Sequence, residues 1–130
     1  ADNGIPGTTT SGNFNAGGTS YSGNCVSISN LGSGGPLGNI DVIIRTASGQ
    51  SFIVYNMPKT ASGSFAFTDG YVNVGGSTLC GSLGFSSNDV YASKPGGTLL
   101  KTGANSFTFS CTVYNILTNQ NINVTGSGNY

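Results

Sequence analysis

The residues able to do chemistry in this chain are few and scattered. Its only acids are Asp2, Asp41, Asp69 and Asp89 and its only bases Arg45, Lys59, Lys94 and Lys101, and Glu, His and Trp are absent from all 130 positions. General acid–base catalysis uses a group that titrates near neutral pH, most often His or a Glu in an apolar pocket. Neither residue type is available. The four aspartates are far apart in sequence, with no Asp-Thr-Gly or Asp-Ser-Gly to mark a paired site. Convergence of two of them as a glycosidase pair is the one acid–base arrangement left open. Cys25, Cys80 and Cys111 have no His to activate a thiolate nucleophile. Thr98-Leu99-Leu100-Lys101 only imitates a Ser-x-x-Lys site and reads as a strand. Gly32-Ser33-Gly34-Gly35-Pro36 lacks the Gly-Lys-Ser/Thr ending of a phosphate loop. The expectation is a protein that is not an enzyme and carries no cofactor.

Metal sites fare no better. Cysteine spacings of 55 and 31 residues without His offer no zinc cluster. Asn88-Asp89 and Asp69-Gly70-Tyr71-Val72-Asn73 could lend oxygens to Ca²⁺, but no oxygen-rich repeat supports them. The simpler roles are a hairpin turn at Asp69 and a strand start or loop cap at Asp89. No metal is expected.

Charge narrows the partners. The formal net charge is zero and only 6% of residues are charged. Four scattered cations cannot neutralise a run of phosphates, so no nucleic-acid partner is expected. No apolar run approaches the roughly twenty residues that cross a bilayer, and no polybasic cluster marks an anchor. Gly, Ser, Asn and Thr make up just over half the chain. Seven Phe and six Tyr stand among them, enough for a modest core and too many for a flexible linker. The chain starts at Ala1 without Met or an apolar leader, as does a mature chain cleaved after a small-residue signal site. Export to the cell surface or beyond is the expectation, and one disulfide with one spare thiol fits it. Asn123-Val124-Thr125 is the one glycosylation sequon.

The elements that must position these residues are strands. Short β-type runs separated by Gly, Pro and Asn clusters follow one another from Cys25 onward, and no window has helical periodicity. The runs are Cys25–Ser29, Ile40–Thr46, Gln50–Asn56, Ser64–Thr68, Tyr71–Val74, Thr78–Leu83, Thr98–Thr102, Asn105–Ile116 and Gln120–Thr125. In the clearest, Phe107, Phe109, Cys111 and Val113 share one face, and Ser106, Thr108, Ser110, Thr112 and Tyr114 the other. Two hairpins are expected: one across Asp69-Gly70 as a type I′ turn, and one across 46–50 with its glycine at a bulge. The fold class is all-β, an antiparallel sandwich of jelly-roll or immunoglobulin-like type, with a closed barrel as alternative. Phe52, Val54, Phe65, Phe67, Phe107, Phe109 and Val113 should form its core. Strand parity places Cys25 and Cys80 on polar faces and pairs them, with Cys111 left as a buried small hydrophobe.

Residues 1–24 form a separate extended segment ahead of a single 25–130 domain. It has the length of a strand that could complete a neighbour's sheet, inserting Ile5, Phe14 and Ala16. The composition is similar to that of secreted pilus and surface-fibre subunits in type, with no motif that assigns a family. The expected function is therefore a structural subunit of an extracellular filament or surface layer, partnered by copies of itself. The alternative is a carbohydrate-binding or adhesin module for surface glycans, using Tyr21, Tyr55, Tyr71, Tyr91, Tyr114 or Tyr130 as platforms.

Overall fold

β-branched and aromatic residues spaced two apart favour extended backbone with one buried face, and the computed structural model of the protein consists largely of such segments. It describes residues 10–30, 39–59, 62–73, 78–86 and 89–130. The strands are β1 (Ser11–Ala16), β2 (Thr19–Asn30), β3 (Asn39–Arg45), β4 (Ser51–Pro58), β5 (Gly63–Ala66), β6 (Cys80–Ser86), β7 (Asp89–Ser93), β8 (Thr98–Gly103), β9 (Ser106–Asn115) and β10 (Asn121–Asn129). A single helical turn, α1 (Gly70–Asn73), stands between β5 and β6. The strand pairings are all antiparallel.

Eight strands close on themselves in the order β1, β2, β3, β4, β6, β7, β9, β10, with β10 bonded back onto β1. The architecture is a closed β-barrel, so the sandwich expected first gives way to its alternative. The reason is β1, a strand that the sequence pattern did not reveal. Phe14 at its centre is registered with Tyr21 of β2 on one edge and with Gly126 of β10 on the other. A strand bonded on both edges joins the two ends of the sheet. The wall branches at β9, whose far edge is shared between β7 at residues 113–115 and β8 at residues 106–110. Strand β5 then runs along β8.

Residues 11–24, expected within a separable arm, thus supply β1 and the first half of β2. Phe14 and Ala16 are buried in the core of their own chain. Ile5 lies outside the described residues.

An eight-stranded barrel is just wide enough for side chains to fill it, and here aliphatic side chains and a line of rings fill it together. Tyr91, Phe85, Tyr21, Phe14, Phe52, Phe109, Phe107 and Tyr130 form one unbroken chain of aromatic contacts, with centroids 4.5 to 6.2 Å apart. Phe67 meets Phe109 edge-on at 6.3 Å. The expected core residues Phe52, Val54, Phe67, Phe107, Phe109 and Val113 are all buried, and Phe65 is half-buried against them. Glycines make room for the rings. Gly126 and Gly128 stand directly opposite Phe109 and Phe107 on the neighbouring strand. A Cβ on Gly126 would lie 2.6 Å from the Phe109 ring and 2.4 Å from the Asn13 carbonyl oxygen.

One expected hairpin forms and the other does not. β3 and β4 are joined by 46–50, closed by a 2.9 Å bond from Thr46 N to Gln50 O, with Gly49 in the left-handed conformation. At Asp69-Gly70 the chain makes α1 in place of a type I′ turn. The Asp69 carboxylate accepts hydrogen bonds from Tyr71 N at 2.9 Å and Val72 N at 3.3 Å, the action of a helix N-cap. Thr68 N meanwhile bonds to Leu79 O, which draws the chain toward β6.

Because Phe14 links the two halves of the aromatic chain, Phe14→Ala should lower stability by about 3–5 kcal/mol. Gly126→Ala should also destabilise the barrel, because strand backbone and a packed ring both block the added methyl. Urea unfolding followed by tyrosine fluorescence and far-UV circular dichroism checks both.

Candidate functional site

A filled barrel leaves only its wall and rims to meet other molecules, and strand alternation decides what the wall presents. Across β8, β9, β10, β1 and β2, the registered outward row is Thr98, Ser110, Thr125, Asn15 and Ser20. The next row is Leu100, Thr108, Ser127, Asn13 and Ser22. These side chains bond laterally: Asn13 Nδ2 to Ser127 Oγ at 3.3 Å, Asn15 Nδ2 to Ser20 Oγ at 3.2 Å, and Thr112 Oγ1 to Asn123 Oδ1 at 2.9 Å. The sequon residue Asn123 is exposed on β10 beyond these rows, where its backbone carbonyl accepts from Gly17 N.

Farther round, the wall changes character. Val26, Ile43 and Ile53 are registered side by side on β2, β3 and β4, and Val26 and Ile28 are about half exposed, at 47% and 52%. One side of the barrel is thus a hydroxyl and amide surface, and another carries an aliphatic row.

The structure sorts the six tyrosines. Tyr91 is buried, while Tyr21 and Tyr130 pack on Phe14 and Phe107 as part of the aromatic chain. Tyr55 is half-buried, and Tyr71 is 61% exposed on α1. Tyr114 is half-buried at the end of β9, and its hydroxyl donates to Asp69 Oδ1 at 3.1 Å. Partial burial is the first cause that lifts its pKa, followed by that bond and by the Asp69 charge. Lys94 Nζ lies 6.0 Å from the centre of the same ring. Asp69 therefore caps α1 and anchors Tyr114, two roles that explain the residue without a metal. Asp89 opens β7, as one of its expected roles had it, while Asn88 lies outside the described residues.

The cysteines correct the expected pairing. All three are free thiols and all are buried. Cys25 packs within the core cluster. Gly81 faces the Phe52 ring inside the barrel, so its neighbour Cys80 points to the opposite, outer side of the wall. At the residues flanking it in sequence, Thr68 N bonds to Leu79 O and Gly70 of α1 packs on Gly81 O. Two thiols on opposite faces of a sheet, with β3 and β4 between their strands, cannot bridge. Cys111 is buried as expected. Burial alone pushes the Cys25 and Cys111 thiols up to about 12, and burial reinforced by Asp41 and Asp69 pushes Cys80 to about 11. They are protonated packing groups at neutral pH.

Sequence reasoning also missed Lys101. It is 1% exposed, and its ammonium donates to Ala104 O at 3.1 Å, Pro58 O at 3.4 Å and the Tyr130 hydroxyl. The Tyr130 ring centre lies 5.0 Å away. Parity with Leu99 was the available signal, overridden by the habit of placing charges outside. For β1 the signal was the alternation Gly12, Phe14, Ala16 followed by Gly17-Gly18, a two-residue turn.

No protein-family model, no curated protein and no solved structure matches the chain, so the reading of its surface rests on geometry. Among the described residues, no three His, Cys, Asp or Glu side chains group to hold a metal.

The thiols set an alkaline limit on stability. Their folded pKa values lie above the ordinary value of 9.0, so their contribution is complete below pH 9 and is lost as pH rises toward about 12. Burial lowers the Lys101 pKa, which acts in the opposite sense below 10.5. Urea midpoints should fall progressively above pH 9, and more steeply in Lys101→Met.

Proposed function

We propose that the protein is a structural subunit of an extracellular assembly, and that its copies join by passing β1 from one barrel to the next. The observation that carries this reading is the position of β1. It is the first strand of the barrel, six residues long, and it fills a slot bonded on both edges. Among the described residues, it joins the rest of the barrel through the Gly17-Gly18 turn, with φ of 60° and 95°. A neighbour's β1 would place the same Phe14 and Ala16 in the same core and make the same hydrogen bonds. Exchange of an identical element therefore changes few contacts, and concentration drives it. One-way exchange generates an open filament; mutual exchange generates a closed dimer.

The surface supports the same reading. A wall with few charges of either sign offers little repulsion between copies. The Val26, Ile43 and Ile53 row is an apolar strip of the kind that marks protein contacts. Loss of a few hydrogen bonds, such as Gly18 N to Asn15 Oδ1 at 3.0 Å and Gly17 N to Asn123 O at 3.1 Å, is the local cost of opening the hinge.

The pair Asn13 and Ser127, registered between β1 and β10, provides the test. With both changed to cysteine (N13C and S127C) and oxidised after concentration, strand exchange should yield a ladder of covalent multimers on non-reducing gels. A dimer alone would indicate mutual exchange. Covalent monomers alone, from a sample that sediments as an assembly, would show that copies join by another face. Monomers alone from a sample that never assembles would end the subunit reading itself.

A further inference from the structure

The branch in the barrel wall at β9 creates a second feature, independent of β1. Strands β7 and β8 lie along the same edge of β9, but the chain between them steps away at Lys94–Gly97. Ser93 is opposite Val113 and Thr98 opposite Ser110, so four residues on one side face two on the other. Lys94 N holds the near end to Thr112 O at 2.7 Å. Gly97 holds the far end so close that a Cβ would lie 2.5 Å from Cys111 Cβ. The excursion leaves a depression of about 590 Å³ on the outer wall, within the range of about 300–1,000 Å³ for small-molecule sites.

We infer that this depression is a binding groove for neutral carbohydrate. Its floor is made of Thr98, Ser110, Thr112, Asn123 and Thr125. The Thr98, Ser110 and Thr125 hydroxyls can each donate and accept, and the Thr112 oxygen can accept while its proton goes to Asn123, a set that matches the vicinal hydroxyls of a sugar ring. The Asn123 oxygen is taken by Thr112, which leaves the amide N–H donors to a ligand and fixes the side chain's orientation. Tyr114 follows Thr112 on the same face of β9, outside the groove's lining but next along the strand, where its ring would extend the site. Its hydroxyl is held by Asp69 and its ring is neighboured by Lys94, so the ring is positioned before any ligand arrives. The floor has no charged side chain, so an anionic group would gain little there.

The groove stands apart from the β1 slot, and its test does not depend on assembly. Unglycosylated full chain would be applied to an array of neutral, sialylated and sulfated glycans, and the best neutral hit taken to calorimetry. Thr112→Val and Thr125→Val preserve side-chain shape, and each should weaken binding at least tenfold with thermal melts unchanged. Tyr114→Ala should weaken it comparably and Tyr114→Phe much less, since the hydroxyl serves Asp69. The amide resonances of Gly96, Gly97, Thr112 and Asn123 should shift on titration, whereas those of β3 should not. A silent array would overturn the inference. So would binding restricted to sialylated or sulfated glycans, or a neutral hit that both valine variants bind with full affinity.

Discussion

Closure of the barrel by β1 is the constraint on which the rest of the structure depends. An open sheet of this composition would expose two edges and the apolar inner face between them. With β1 seated between β2 and β10, every strand of the wall has neighbours on both sides and the inner face becomes an interior. Buried aliphatic side chains such as Val42, Ile44, Val54, Leu83, Leu99 and Val113 line that interior. A line of stacked and tilted rings fills it with them, and glycines opposite Phe107 and Phe109 give the rings space. The abundance of glycine thus has two physical origins: turns between strands, and small partners for large side chains within them.

The same economy explains the polar groups in the interior. Lys101 caps one end of the aromatic line and is held by two backbone carbonyls and the Tyr130 hydroxyl. Asn56 is buried in the left-handed conformation, where its N–H meets Asp41 at 3.1 Å and its amide donates to Thr78 O at 2.8 Å. Ser93 links β6 to the segment after β5 by accepting from Gly81 N and donating to Thr68 O. Among the described residues no buried side-chain nitrogen or oxygen lacks a partner. Each polar insertion thereby fixes where a strand ends or bends, and avoids the cost of an unsatisfied group.

With the core confined to the barrel axis, the wall is free to be almost uncharged, and it divides by strand. Hydroxyls and amides cover β8 to β2, and aliphatic side chains cover the middle of β2, β3 and β4. Interactions of such a surface depend weakly on ionic strength, because few charges are present to be screened. The proposed joint and the proposed groove meet at β10, which pairs with β1 and supplies Asn123 and Thr125 to the groove. Assembly by β1 would therefore carry the groove's hydroxyl face along with it.

Much of the fold was legible in the pattern of residues. Period-two alternation identified β9 with its buried Phe107, Phe109, Cys111 and Val113, and it placed β3, β4 and the loop between them. It also identified the polar face of β9 that floors the groove. Alternation is local: it reports which side of a strand is apolar, because neighbouring side chains must point to opposite faces. It does not report which strands are neighbours. The choice of barrel over sandwich lay with β1, whose Gly- and Asn-rich sequence concealed a strand stabilised by partners more than a hundred residues away. Which cysteines could meet, what Asp69 bonds, and why Lys101 is inside were likewise decided by the chain's closure, since each depends on groups brought together from distant strands. Composition and alternation determined that the protein is all-β, with aromatic side chains inside and an uncharged polar exterior; only the tertiary structure decided how the sheet ends meet, and so what its surface offers.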